Sequence, residues 1–148
     1  MQKRFFNTTG LCFPDKHYMV DPLRGIGKQI LELIQNEQYF VIHAPRQTGK
    51  TTLLHSLARK INKESKYIAI VCSLERAGYR SITIEEANKV MISAVHSHAM
   101  NFLPKEELPP LTDDFTGKDL FAYLSAWSRS QKKPIVVLID EIDALYDD

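Results

Sequence analysis

Ala44-Pro45-Arg46-Gln47-Thr48-Gly49-Lys50-Thr51 has the spacing of a phosphate-binding loop: a small residue, four positions, then Gly-Lys-Thr. Each type answers a chemical need. Gly49 has no Cβ, so backbone N–H groups can close around an anion and the chain can take a positive φ. Lys50 reaches the β- and γ-phosphates as a point charge, and the Thr51 hydroxyl is a ligand for Mg2+. Thr52 completes the turn into a helix, whose N-terminal N–H groups and dipole favour the same anion. Ala44 stands where the pattern more often has glycine, which narrows the loop entrance slightly without excluding a phosphate.

A second set of chemistry-bearing residues closes the run Pro134-Ile135-Val136-Val137-Leu138-Ile139-Asp140-Glu141. A wholly apolar run predicts a strand buried on both faces. A carboxylate pair at its C-terminal end is how a Walker B strand looks. Asp140 would hold Mg2+ beside Thr51, largely through ordered water, and Glu141 would polarise an attacking water as general base.

Elements must carry these residues. Tyr39-Phe40-Val41-Ile42-His43 is a short, β-favouring apolar run directly before the loop and predicts a buried strand. Leu53, Leu54, Leu57, Ala58 and Ile61 recur at helical spacing after it. Strand, loop and helix thus follow in the order a phosphate site demands. Upstream, Asp21-Pro22 reads as an N-cap with proline in the first turn of a helix over 22–35, weakened by Gly25 and Gly27. Tyr67–Cys72 reads as a second buried strand. Thr83-Ile84-Glu85-Glu86 is a capping box opening a helix over 84–101. Pro104–Asp114 reads as a loop, followed by a helix over 118–130 with Leu120, Leu124 and Trp127 inward. Residues 1–20, with Phe5, Phe6, Phe13, Tyr18, Met19 and Val20 among turn formers, read as a lead-in arm. They either pack on the domain surface or wall the base of a nucleotide.

With 148 residues the chain is long enough for one core, and its 44% hydrophobic and 25% charged residues are ordinary for a globular domain. A formal charge of +1 gives no strong nucleic-acid signal. Cys12 and Cys72 form no C-x-x-C, which disfavours a disulfide framework or a zinc site. No apolar run approaches the ~20 residues of a membrane span, and the first residues lack a signal-peptide core. The expected location is the cytoplasm. The five histidines are read as structural or solvated, and Lys132-Lys133 as a solvated turn.

Together, Ala44–Thr52 and Ile135–Asp143 resemble P-loop NTPases of the additional-strand, catalytic-glutamate division. The wording Ala-Pro-Arg-Gln-Thr-Gly-Lys-Thr-Thr and the lead-in over Phe5–Val20 are similar to the AAA-like ATPase domains of bacteria and archaea, relatives of AAA+ and STAND ATPases. The resemblance spans nearly the whole chain. It implies an α/β P-loop NTPase fold, a parallel sheet flanked by helices on both faces, with residues 1–20 as arm and 21–148 as the N-terminal part of the ATPase domain. It implies ATP as nucleotide, with phosphate bound by Ala44, Pro45, Arg46, Gln47, Thr48, Gly49, Lys50, Thr51 and Thr52. Metal falls to Thr51 and Asp140, and catalysis to Lys50 and Glu141. No Asn/Thr-Lys-x-Asp guanine motif is present.

In the resembled division a later strand, carrying a polar sensor, inserts between the loop-bearing and Walker B strands; an arginine finger and a lid follow it. The chain ends at Asp148, so the expectation is a fold truncated after the Walker B strand, a fragment prone to aggregate and weak as an ATPase. Two functions compete: an Mg2+-dependent ATPase coupled to a longer protein, and a STAND-like switch or scaffold that binds ATP with little turnover. A nucleic-acid-binding module has little support, since the charge is balanced and no basic-aromatic patch appears in the sequence, and a kinase reading ranks below the switch for want of an acceptor signal. An effector domain or protein partner and a homo-oligomer fit both leading readings.

Overall fold

The computed structural model describes residues 3–8, 10–45, 47–75, 83–110 and 119–145. The chain divides into two compact units, Met1–Leu57 and Ala58–Asp148.

In the first unit, helix α1 spans Gly27–Gln35 and helix α2 begins at Lys50 and runs to Glu64 across the unit boundary. Helix α1 starts five residues later than Asp21-Pro22 predicts. Gly25 sits at φ +87, outside the helical region, so the chain from Pro22 to Ile26 makes turns instead. Asp21 is therefore not the N-cap: its Oδ1 accepts from the Leu23 N–H at 3.0 Å and closes a turn, while the N-cap Ile26 makes no side-chain cap. At the other end Glu37 takes φ 55 and the Gln38 N–H reaches back to Leu33 O at 3.0 Å, a left-handed stop. Ile30, Ile34, Leu53, Leu54 and Leu57 are the buried apolar side chains of this unit. Each contributes about 1.5–3 kcal/mol by leaving water.

The strand expected over Tyr39–His43 does not form. The run is extended with a period of two in burial: Phe40 and Ile42 are half-buried, while Tyr39, Val41 and His43 are exposed. Strand propensity is present, but no ladder partner is paired with it among the described residues, and a strand exists only as half of a pair.

In the second unit, β1 (Ile68–Ser73) and β2 (Ile135–Asp140) pair in parallel, Ile68 opposite Ile135 and Ser73 opposite Asp140. Helix α3 (Ile84–Phe102) and helix α4 (Leu120–Ser130) supply the crossover that a parallel pair requires. Thr83 closes the predicted capping box: its Oγ1 accepts from the Glu86 N–H at 3.2 Å, and Glu86 Oε2 accepts from the Thr83 N–H at 2.9 Å. Asp119 caps α4 by accepting from the Ala122 N–H at 2.7 Å; Lys118, the predicted start, lies outside the described residues. Ile68, Ile70 and Cys72 from one face of β1 pack with Ile92, Val95 and Ala99 of α3 and Tyr123 and Trp127 of α4. Tyr123 and Trp127 are wholly buried, whereas Leu120 and Leu124 pack only partly. The Trp127 indole donates to Glu107 O at 3.0 Å, and Lys133 Nζ pairs with Glu107 at 2.6 Å, so half of the expected solvated lysine turn is an ion pair.

Strand β1 is buried along its length, but β2 is not the doubly buried strand its apolar run predicts: only Leu138 and Asp140 are fully buried. An apolar run records what a strand can bury. The neighbours present decide what it does bury.

Candidate functional site

The loop of the first unit takes the conformation its residue types demand. Gly49 sits at φ +87 and Gln47 at φ 61, two left-handed positions separated by one residue. Such alternation turns successive N–H groups toward one concavity, the geometry that binds anions. Gln47 does so without a glycine's freedom, at a cost of about 1–2 kcal/mol. The cost at Gln47 is invisible in the motif, where position 47 accepts any residue. Thr48 Oγ1 donates to Pro45 O at 2.7 Å and tightens the turn. The Lys50 ammonium donates to Ala44 O at 2.8 Å and to Pro45 O at 3.0 Å, so the loop curls around its own cation. The Leu53 N–H bonds to Gly49 O at 2.9 Å and starts α2, with Lys50, Thr51 and Thr52 in its first turn. Arg46 lies outside the described residues.

A cavity of about 450 Å3 adjoins this loop. Thr48, Gly49, Lys50 and Thr52 line one part of it. Met19, Val20, Pro22, Ile26 and Ile42 give it an apolar wall, joined by Cys12, Asp21 and His43. Of the arm's apolar residues Met19 and Val20 line this cavity, whereas Phe5, Phe6, Phe13 and Tyr18 do not. Beyond the arm, Pro22 and Ile26 reach the wall because Gly25 delays α1 and leaves the chain as turns there, which helical periodicity does not foretell.

In the second unit Asp140 ends β2, buried at 7% exposure, and the Leu74 N–H donates to its backbone carbonyl at 3.1 Å. Glu141 leaves the strand at φ 56, a left-handed position, with its side chain exposed. Partial desolvation, then the charges of Glu75, Asp140 and Asp143, push its carboxyl above the usual carboxylate range, while the Ser73 hydroxyl pulls the other way. Ser73 Oγ donates to Glu141 Oε2 at 3.5 Å and accepts from the Glu75 N–H at 3.2 Å. Ser73 and Glu75 are absent from the motif reading. The available signal is a polar residue at the end of an apolar strand, which parallel register then sets opposite Asp140. No group of three or more His, Cys, Asp or Glu side chains fit to hold a metal occurs among the described residues. Thr51 and Asp140, a hydroxyl and a carboxylate, are the oxygen donors that suit a hard cation.

A model of the AAA domain family matches residues 33–148, from the end of α1 through β2. The chain belongs to the AAA domain family. No curated protein and no solved structure matches it significantly. Membership makes the chain an α/β, nucleotide-binding P-loop domain, with the loop at Ala44–Thr52 and the acids at Asp140-Glu141 inside the matched span. None of the helices in the described residues is long and apolar enough to cross a membrane.

Proposed function

We propose that this AAA domain binds ATP with Mg2+ and hydrolyses it, and that turnover drives conformational change in a longer, cytoplasmic protein. The carrying observation is the loop itself: Gln47 and Gly49 are left-handed, the Lys50 ammonium bonds to Ala44 O and Pro45 O, and Gly49 and Lys50 line an apolar cavity. Residues 1–20 act as the arm that walls the base, and 21–148 as the body of the domain. The backbone cradle orients the phosphates, and Lys50 offsets charge as it develops on the γ-phosphoryl oxygens. Thr51 and Asp140 would hold the metal ion, which supplies further charge neutralisation. Glu141 takes a proton from water as the water oxygen bonds to the γ-phosphorus and the bond to the bridging oxygen of ADP breaks. A carboxyl raised above its usual range and exposed at a strand end suits that role. The proposal requires loop and acid pair to meet across one triphosphate.

One observation favours a STAND-like switch: the Ser73 hydroxyl, 3.5 Å from Glu141 Oε2, stabilises the charged carboxylate and so weakens it as a base. Nucleotide binding and turnover of Lys50→Ala and Glu141→Gln separate the readings. Hydrolysis predicts that Lys50→Ala loses binding, whereas Glu141→Gln keeps ATP bound and loses turnover by at least about 100-fold. Turnover unchanged in Glu141→Gln refutes the base.

A further inference from the structure

Lys3-Arg4-Phe5-Phe6 and Lys16-His17-Tyr18 are separate, unremarkable mixtures in the sequence, but the structure joins them. A parallel bridge pairs Phe5 with His17: the Phe5 N–H donates to Lys16 O at 3.1 Å and the Tyr18 N–H donates to Phe5 O at 3.0 Å. His17 locks the bridge from beneath. It is buried, its Nδ1 accepts from the Phe13 N–H at 2.9 Å, and its ring meets Phe5 edge-on at 4.8 Å. The bridge sets Phe6 and Tyr18 side by side, centroids 5.1 Å apart, and leaves them 78% and 50% exposed. Arg4 precedes Phe6 by two residues, the spacing that returns an extended chain to the same face. Lys3, Arg4 and Lys16 are all exposed, and the Lys16 ammonium lies 5.8 Å over the Phe13 ring.

Through residue 18 three cations accompany one acid, Asp15, a local surplus of two. Exposed rings on a prebuilt backbone, in an arm with a cationic surplus, suit a ligand with flat π-faces along an anionic thread. We propose that this arm binds single-stranded nucleic acid, with Phe6 and Tyr18 stacking bases and Lys3, Arg4 and Lys16 contacting phosphates. A duplex hides its base faces, and an acidic peptide would leave the rings in water. The site is independent of ATP hydrolysis, although Tyr18 leads directly into Met19 and Val20 of the cavity wall, so a strand on the arm and a ligand in the cavity share backbone.

Fluorescence anisotropy with a labelled oligothymidylate of about 20 nucleotides tests this on the full chain. Saturable binding that weakens steeply from about 50 to about 200 mM salt is the expected result. Phe6→Ala and Tyr18→Ala each weaken it by about 5-fold or more. Lys3→Gln with Arg4→Gln keeps the rings, weakens binding and flattens the salt dependence. The annealed duplex binds more weakly than the single strand. Absence of saturable binding at low salt overturns the proposal, as does unchanged affinity in both variant pairs or equal affinity for the duplex. Preferential binding to phosphatidylserine vesicles overturns it in favour of a membrane surface.

Discussion

Gly49→Ala isolates the phosphate cradle from the fold that carries it. At φ +87 an L-residue is strained by about 1–2 kcal/mol. Alanine also restricts the unfolded chain, which returns about 0.4–1 kcal/mol. A Cβ built at Gly49 meets nothing within 4 Å, so no clash adds to the sum. The net cost is about 1 kcal/mol, a fall in Tm of roughly 2–4 °C for a chain of this size. Nucleotide binding answers to a different quantity. If relief of the strain swings one N–H away from the phosphate, a charge-assisted hydrogen bond of about 1.5–3 kcal/mol is lost. That is about 10- to 150-fold in Kd. Gly10, at φ +72 and equally without neighbours within 4 Å, is the control: Gly10→Ala incurs the same strain and keeps nucleotide affinity. The assay is titration with a fluorescent ATP analogue beside a thermal melt. Gly49→Ala binding nucleotide as tightly as the parent protein refutes the cradle. A Tm loss much larger than in Gly10→Ala refutes the open-space account of residue 49.

Thr83→Ala removes the side-chain half of the capping box, keeps the backbone N–H half, and lowers stability by about 1 kcal/mol in a urea melt, with Thr83→Ser near the parent value. Its pH dependence has a defined sign: the Thr83 backbone N–H, then its hydroxyl, hold the Glu86 carboxyl below 4.5. The hydroxyl's share of that contribution, the part that alanine removes, is present above pH 4.5 and disappears as pH falls through the depressed value, so the gap between parent and Thr83→Ala narrows in acid. Burial pushes the Cys72 thiol up to about 11, with the Asp140 charge a smaller contributor. Iodoacetamide at mildly alkaline pH therefore alkylates Cys12 in the native protein and reaches Cys72 only on unfolding, as peptide mass spectrometry would show.

Much of this protein can be read along the chain because the relevant physics is local. A positive φ at Gly49, an ammonium one residue on, a capping box at Thr83 and Glu86, and helical stripes ending in Trp127 all depend on neighbours within a few residues. So does the order of loop and helix that marks the family. The start of α1 was misplaced for a local reason too, since Gly25 takes a positive φ and Asp21 closes a turn in place of a helix cap. Other features needed partners distant in sequence. Tyr39–His43 has every strand propensity and no paired ladder, and β2 has an apolar run but only partial burial, because backbone hydrogen bonds and buried area belong to pairs of segments. Ser73 reached Glu141 only through parallel register. The Phe6 and Tyr18 rings met only when Phe5 bridged to His17. Residue types set what each stretch is able to do; contacts between distant stretches decided which of those abilities the molecule uses.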